Sequence, residues 1–299
     1  MGNYMNTREV AKYLGINEKK VYSLIEEKGL PATKATGKWG FIKELVDIWL
    51  ENSTENYPSV LHRLKGFLMV AGSNDPLLEF ALDEVARGGK GFFPFFCNTG
   101  STEGLLMLKE KKVHIAASHL FDQETGEYNI GQIASDLSEL RLVIINFAYR
   151  KQGIMVKKGN PKKIKGVEDL AKKGTRFANR QEGAGTRVLM DSLLKKAGIA
   201  KSAVSGYENE VSTHLDVGLR ILRDEADAGA GIMATANLLG LDFITLKEER
   251  FDLFIPRDYF FVEEVTSLME VIRSERFSKE ALRFGGYDTR DSGKVIYTS

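Results

Sequence analysis

Residues 178–190 read ANRQEGAGTRVLM, the end of an apolar strand joined to an amphipathic helix by a glycine turn. The same plan recurs in AGSNDPLLEF (71–80) and CNTGSTEGLL (97–106). In each stretch small or hydroxyl-bearing residues open the helix, so free backbone N–H groups collect at its positive end. One such loop is commonly only a helix cap, whereas three in one region predict a convergent pocket for an oxyanion.

The region around these loops, residues 66–299, alternates short apolar runs with amphipathic segments. This alternation predicts α/β layers with mostly parallel sheets, which bind ligands at the carboxyl ends of their strands. The predicted strands are GFLMVAG (66–72), FFPFFC (92–97), VHIAAS (113–118), LRLVIINFAYR (140–150), TRFAN (175–179), DAGAGIM (227–233), LDFITL (241–246) and FDLFIP (251–256). Amphipathic helices are predicted between them.

Residues 1–52 predict a separate small helical unit. Two short amphipathic helices are joined by a turn, and Asn17 is placed to cap the second of them, which ends at Gly29. ATKATGKWGFI (32–42) predicts a short hairpin, and a third helix follows. Residues 53–65 are rich in Asn, Ser and Pro, so we expect a linker there.

The chain has an ordinary globular composition, with 43% hydrophobic and 28% charged residues. Its net charge of +1 excludes a protein that binds nucleic acid along its whole surface, but leaves room for a confined DNA-reading patch. With one cysteine, no signal-peptide pattern and no apolar run approaching ~18 residues, we expect a cytoplasmic protein that does not span a membrane.

The residue types of common catalytic sites do not form a recognisable motif. The four histidines lack metal-ligand spacing, GAGTR lacks the end of a Walker A loop, and no serine lies in G-x-S-x-G. Cys97 follows an aromatic run and is more typical of a buried small residue than of a nucleophile. We therefore expect no enzymatic activity, no metal and no cofactor.

Residues 4–50, with TREVAKYLGINEKKVYSLIEEKGLP (7–31) and the closing WL, resemble the excisionase-type winged helix-turn-helix domains. The resemblance implies that the second helix reads the major groove of a double-stranded DNA operator, while the hairpin touches phosphate or the minor groove. The resemblance implies that the residues in contact with DNA are Asn17, Lys19, Lys20, Ser23, Lys34 and Lys38.

The charge of this helical unit is modest, with eight Lys and Arg against seven Asp and Glu in residues 1–52. Such a unit needs its cations on one face, and a second copy, to bind DNA well at physiological salt. We therefore expect a homodimer. A small docking module with a solvated basic face is the alternative.

Residues 66–260 resemble the periplasmic-binding-protein-like domain of bacterial and archaeal regulators, which also occurs attached to molybdenum-cofactor biosynthesis proteins. NRQEGAGTR (179–187) and SHLFDQETGEYN (118–129) are the most distinctive parts of the match. The resemblance implies a two-lobed, type II fold that closes on a small oxyanion, molybdate or tungstate. In this fold residues 140–156 would cross from lobe one into lobe two.

The resemblance also implies which side chains hold the anion. Those from lobe one are Ser73, Asn74, Ser101 and Thr102, and those from lobe two are Gly185, Thr186 and Arg187. His119 is expected at the mouth of the cleft, His114 in a structural role beside its strand, and Asp75 and Glu182 pointing outward.

Alternatives remain open for the outer members of this set. Arg180 adds charge to the pocket or braces the loop, and Arg187 folds back toward the anion or pairs with Asp191 one helical turn away. Thr213 with His214 either reaches the pocket or forms a helix cap followed by a surface histidine.

The sequence thus predicts a winged helix-turn-helix domain (1–52), a linker (53–65) and a periplasmic-binding-protein-like domain (66–299). The predicted function is a one-component transcriptional regulator whose effector is tungstate or molybdate. The alternative is a cytoplasmic accessory of molybdenum-cofactor biosynthesis, or an anion-binding protein without a DNA function.

Overall fold

A computed structural model describes residues 4–54, 66–121, 126–129, 131 and 137–299 of the chain. By its internal contacts the chain divides into two compact units, with the boundary between residues 62 and 63. Most of the predicted linker, residues 55–65, lies outside the described residues.

The first unit contains a short two-stranded sheet and three helices. Their bounds are β1 Tyr4–Asn6, α1 Thr7–Tyr13, α2 Glu18–Lys28, β2 Gly40–Ile42 and α3 Lys43–Asn52. Asn17 caps α2, since its side-chain oxygen accepts the N–H of Lys20 at 2.8 Å. Gly29 ends this helix in the left-handed conformation, with φ of 64°. Both predictions about the ends of α2 are therefore confirmed.

The predicted hairpin takes a different form. Thr33 and Gly40 form a single antiparallel bridge, and β2 then pairs with β1 at the start of the unit. Phe41 of this strand lies in a small core, which consists of Val10, Ala11, Val21, Leu30, Phe41 and Val46. Trp49 packs against this core and donates from its indole N–H to the carbonyl of Lys28 at 2.9 Å, which fixes α3 to the end of α2.

The second unit is α/β. Its strands are β3 Phe67–Gly72, β4 Phe93–Asn98, β5 Ile115–Ser118, β6 Leu142–Val156, β7 Phe177–Arg180, β8 Glu210–Val211, β9 Ala228–Ile232, β10 Asp242–Pro256, β11 Tyr287–Asp288 and β12 Val295–Thr298. Its α-helices are α4 Pro76–Arg87, α5 Ser101–Lys109, α6 Gly185–Lys196, α7 His214–Leu222, α8 Met233–Leu238, α9 Glu263–Ile272 and α10 Glu275–Phe284. Short 3-10 turns cover Val167–Ala171, Lys201–Ala203 and Arg257–Tyr259.

One continuous sheet runs through this unit in the order β4-β3-β5-β10-β6-β9-β7-β8. The strands of each flank are parallel to one another, as predicted. The two central strands are antiparallel to each other and to their outer neighbours, so the expectation of a mostly parallel sheet is wrong at the centre. The segments predicted as two strands, LDFITL and FDLFIP, belong to the single 15-residue strand β10.

Strands β6 and β10 cross from one lobe into the other, as predicted for residues 140–156. The first half of β6 supplies Leu142 and Ile144 to the core of lobe one. The second half supplies Ile154 and Val156 to one face of lobe two, while Met155 lies on the opposite face. This alternation is the ordinary two-residue period of a strand, and it gives lobe two a core on each side of the sheet.

The chain returns to lobe one at its C-terminal end, where α9 and α10 pack against α4. Beyond these helices, β11 and β12 pair with β6, so Tyr287 lies opposite Arg150 and Val295 opposite Ile145. These two strands were not predicted from the sequence. Within the described part of the chain, no helix has the length and apolar character needed to cross a membrane.

Candidate ligand-binding site

The three glycine-containing loops meet at the carboxyl ends of strands β3, β4 and β7. Thr102, at the start of α5, donates to the carbonyl of Gly183 at 3.2 Å and so joins the second loop to the third. The Ser73 hydroxyl lies 2.9 Å from Nε2 of His119, whose backbone N–H donates to Ser101 at 3.3 Å. A side chain at Gly185 would begin 2.5 Å from the His119 ring, so only glycine allows this approach. The predicted convergence is present.

Most of the predicted ligand residues are buried around this meeting point. The buried members are Ser73, Asn74, Ser101, His119, Arg180, Gly185, Thr186 and Arg187. Thr102 is exposed, and the Thr186 hydroxyl accepts from Gln152 at 2.6 Å. His119 is only 1% exposed, so it lies inside the site and not at its mouth.

The Arg187 guanidinium does not fold back toward the turn, as one of the two alternatives had it. Its Nε donates to the Tyr207 hydroxyl at 3.0 Å, and its Nη1 donates to Glu210 at 2.7 Å and to the Arg180 carbonyl at 3.0 Å. Asp191, the alternative partner named from the sequence, lies 3.7 Å from Nε. These acceptors hold Arg187 within lobe two, because each is close enough to compete with an anion for its donors.

Thr213 is the N-cap of α7, where its hydroxyl accepts the N–H of Asp216 at 2.9 Å and donates to the carboxylate at 2.7 Å. The helix-cap alternative is therefore confirmed for Thr213. The surface position that the same alternative gave to His214 is wrong, because this side chain is fully buried. His114 does have the expected structural role, since its Nδ1 accepts the N–H of Met69 at 2.9 Å.

Asp75 does not point outward, in contrast to Glu182, which is exposed as expected. One Asp75 oxygen accepts the N–H groups of Leu77 and Leu78, which caps α4. The other accepts from Arg150 at 2.6 Å and from the Tyr287 hydroxyl at 2.8 Å. The outward expectation is wrong because a buried arginine on the crossing strand provides a partner for the carboxylate.

Arg150 connects two buried carboxylates. Its Nη1 is bound to Asp75, its Nε donates to Glu249, and all three side chains are at most 1% exposed. Arg150 and Glu249 lie directly opposite each other on the antiparallel strands β6 and β10. Burial opposes the charge of Glu249, but Arg150 and His119 outweigh it, so the pKa of Glu249 lies below its usual value. The carboxylate is therefore ionised at neutral pH.

Arg180 lies at the end of β7 and faces this cluster. Its guanidinium donates to three uncharged acceptors: the Ser212 carbonyl at 2.9 Å, the Gln181 side chain at 3.2 Å and Asn74 at 3.4 Å. Burial, with repulsion from Arg150, lowers the pKa of Arg180 to about 10, so it remains a cation at neutral pH.

Several buried polar atoms of the site have no hydrogen-bond partner among the described residues. They are Nη2 of Arg150, Nη1 of Arg180, both ring nitrogens of His214 and the side-chain oxygens of Asn98 and Gln152. Two of these atoms are guanidinium donors, and leaving such a group unpaired in a protein interior is costly. The arrangement therefore fits a site whose buried donors and acceptors are completed by a bound ligand.

Arg150, Glu249 and Tyr287 are the residues that sequence reasoning missed. Arg150 interrupts the apolar run LVIINFAYRKQGIMV, and a charge inside a predicted buried strand was the available signal. Its partner Glu249 is 99 positions away, and their pairing depends on strand register. A single sequence does not specify this register.

The residues predicted to contact DNA lie in the first unit and are mostly exposed. Lys19, Lys20, Lys34 and Lys38 are exposed, and Ser23 donates to Glu27 at 2.9 Å. The Nζ of Lys34 lies 4.4 Å from the centre of the Trp39 ring, which holds the start of the hairpin segment. Asn17 uses its side-chain oxygen to cap α2, so its amide group alone is free for another contact.

The chain belongs to the PBP superfamily, the two-lobed ligand-binding fold of periplasmic binding proteins. The family model for the PBP superfamily domain matches residues 82–273. A model for a helix-turn-helix domain matches residues 4–54. The two-lobed α/β fold with a helix-turn-helix domain before it, as predicted from the sequence, is thereby confirmed.

Two relatives and one solved structure extend the comparison. The chain is 29% identical to the uncharacterized protein YvgK of Bacillus subtilis, over 96% of each chain. It is 31% identical to an uncharacterized Clostridium pasteurianum protein named for its place in the 5′ region of a ferredoxin gene, over 36% of this chain and 97% of that protein. A Clostridium perfringens protein assigned as a phosphate transporter's substrate-binding protein, solved with bound phosphate, superposes with a TM-score of 0.54. It is 13% identical and covers 73% of this chain and 97% of its own, so the likeness shows the fold alone.

The buried histidines predict a pH dependence of stability in the ligand-free protein. Burial, aided by Arg180 and Arg150, lowers the pKa of His214 well below its usual value, so the folded state keeps this ring neutral. Below the unfolded pKa of about 6.5, the unfolded chain binds a proton that the folded chain excludes. The free energy of unfolding should therefore fall as pH is lowered, by at most about 1.4 kcal/mol per pH unit from this group.

Denaturant titrations between about pH 7.5 and 5 measure this slope, and His214→Asn is the matched variant because its side chain cannot titrate. The slope should be smaller in the variant than in the unmodified chain. Equal slopes would show that His214 does not contribute.

Proposed function

We propose that this protein is a DNA-binding regulator controlled by a small oxyanion, tungstate or molybdate, held between the two lobes of its ligand-binding unit. The support is the combination of a helix-turn-helix domain with a PBP superfamily domain in one chain. The observation that carries the anion is the pair of unpartnered guanidinium nitrogens, on Arg150 and Arg180.

The charge of the site favours an anion over a zwitterionic amino acid. An ammonium group needs a free carboxylate, but the two carboxylates bound to Arg150 are already occupied. Asp75 accepts two backbone N–H groups, Arg150 and Tyr287, and Glu249 accepts from Arg150 and His119. Of the two buried arginines with an unpartnered nitrogen, Arg180 donates only to uncharged acceptors among the described residues, so its charge is available to a ligand.

Because donors already occupy the carboxylates of Asp75 and Glu249, the site also favours a fully deprotonated tetrahedral dianion. Tungstate and molybdate require only donors around them, whereas hydrogen phosphate also needs an acceptor for its own proton. The acceptors left in the site, such as the side-chain oxygens of Asn98 and Gln152, are uncharged and hold such a proton more weakly than a carboxylate does. The Asp75 carboxylate points into the protein, but four donors already surround it. Sulfate also requires only donors, so the site would reject it by size alone.

Ligand binding can control DNA binding only if the two ligands prefer different states of the protein. In the proposed mechanism, an anion between the lobes stabilises their closed arrangement, and closure changes the spacing of the two DNA-reading heads in a homodimer. An anion-binding protein without a DNA function is the alternative, and the DNA experiment below distinguishes the two.

Arg180→Ala tests the anion site directly. A charge-assisted hydrogen bond contributes about 1.5–3 kcal/mol net, so tungstate affinity should fall about tenfold to a hundredfold. Arg187→Ala is the matched control, because its guanidinium is held by Tyr207 and Glu210. It should lower the melting temperature and leave affinity nearly unchanged. Calorimetry and thermal melts on both variants give the answer, and the reverse pattern would place Arg187 in the site.

Calorimetry of the full chain with tungstate, molybdate, sulfate and phosphate tests the ligand class. Tungstate or molybdate should bind more tightly than phosphate by about tenfold, since the acceptors left for the phosphate proton are uncharged, and a neutral hydrogen bond contributes about 1 kcal/mol against about 1.5–3 kcal/mol for a charge-assisted one. Tight phosphate binding with weak tungstate binding would overturn the proposed effector, and would show that a carboxylate of the site accepts the phosphate proton.

Lys20→Glu tests the DNA-reading helix. Lys20 is exposed on α2, and reversing its charge there should abolish operator binding while tungstate binding stays intact. Lys173→Glu, an exposed change of equal charge in the ligand-binding unit, controls for net charge. Gel-shift titrations at fixed salt measure both. Unchanged DNA affinity in the Lys20 variant would favour the docking-module alternative.

A further inference from the structure

A chain of three buried side chains runs through the anion site. His119 lies between Ser73 and Glu249, with Nε2 2.9 Å from the Ser73 hydroxyl and Nδ1 2.8 Å from the Glu249 carboxylate. All three are at most 2% exposed. Glu249 is held ionised by Arg150 and His119, so it only accepts hydrogen bonds. The proton between His119 and Glu249 therefore belongs to Nδ1 of the histidine.

This arrangement fixes the direction of the next hydrogen bond. With Nδ1 protonated, Nε2 of a neutral His119 is an acceptor, so the Ser73 hydroxyl must donate its proton to the ring. Ser73 then presents only lone pairs to a ligand. If His119 takes up a second proton, Nε2 becomes a donor to Ser73, and the hydroxyl proton is free to point at an anion.

The surroundings keep His119 neutral in the ligand-free protein. Burial lowers its pKa, and Arg150 on β6 and Arg180 on β7 act in the same direction against Glu249 on β10. The fully buried His214 on α7 also faces the group, and its own pKa is lowered well below the usual value. A dianion in the site would add negative charge beside these cations, which favours the protonated form of His119.

We propose that His119 is a proton-coupled specificity residue, which takes up one proton when a fully deprotonated dianion binds and thereby turns Ser73 from an acceptor into a donor. The proposal rests on the proposed oxyanion function and deepens it. Hydrogen phosphate needs no such uptake, because its own hydroxyl can donate to Ser73. The discrimination between the two kinds of anion therefore depends on pH, and the preference for tungstate increases as pH falls.

The test is calorimetry of the full chain with sodium tungstate at about pH 8, in buffers of different ionisation enthalpy. The observed heat should depend on the buffer with a slope approaching one proton taken up per tungstate. The dissociation constant for tungstate should rise by up to about tenfold per pH unit above neutrality. Sodium phosphate at the same pH should show uptake near zero.

His119→Gln is the matched variant, since it keeps a hydrogen-bonding side chain that cannot titrate. Its tungstate affinity should be independent of pH over this range, and proton uptake should vanish. His214→Gln is the second variant, which should keep the uptake if His119 is the group concerned. Loss of uptake in the His214 variant alone would overturn the assignment.

Nitrogen-15 spectra of the histidine rings give a readout that does not depend on affinity. In the ligand-free chain His119 should be neutral with its proton on Nδ1, and tungstate should convert it to the doubly protonated form. A doubly protonated His119 before ligand is added would overturn the inference. Tungstate binding without proton uptake would overturn it while leaving the oxyanion function intact, whereas absence of tungstate binding would overturn the proposed effector and this inference with it.

Discussion

The buried contact of Arg150 with Asp75 and Glu249 determines much of the ligand-binding unit. Asp75 caps a helix of lobe one, Arg150 and Glu249 lie on the two strands that cross between the lobes, and Tyr287 joins them from the C-terminal segment. Charges removed from water in this way are tolerated only when each finds a partner. Removing Arg150 would leave two buried carboxylates without the cation that they share.

The same contact divides the roles of the two buried arginines. Arg150 is balanced by carboxylates, so it orders the site and supplies a single unpartnered nitrogen. Arg180 has only uncharged partners, and its full charge remains for a ligand. Arg150 neutralises the carboxylates and Arg180 is left to bind a ligand, so a site with two acids can still attract an anion.

The sequence predicted the local parts of this site well and the long-range parts poorly. A glycine turn before a helix is determined by residues that are adjacent in the chain, so the loops at Ser73, Ser101 and Gly185 could be predicted from the sequence. Strand register is set by contacts between distant segments, and it determines the Arg150–Glu249 pair. Arg187 turns toward Glu210, an acceptor that is 23 positions further along the chain. Asp75 was misjudged for the same reason, because its partner arrives from a strand 75 positions further along the chain.

The two crossing strands have a mechanical consequence. The lobes share a hydrogen-bonded ribbon, β6 with β10, whose register shifts between Thr245 and Lys247 and again between Phe251 and Asp252. Irregularities of this kind concentrate twist and bending, and Glu249 lies between them. Any rotation of one lobe against the other must be absorbed as elastic deformation of this short stretch of ribbon. The stretch of backbone that bends is thus the stretch that carries Glu249. Bending of this stretch therefore displaces the Glu249 carboxylate within the cleft.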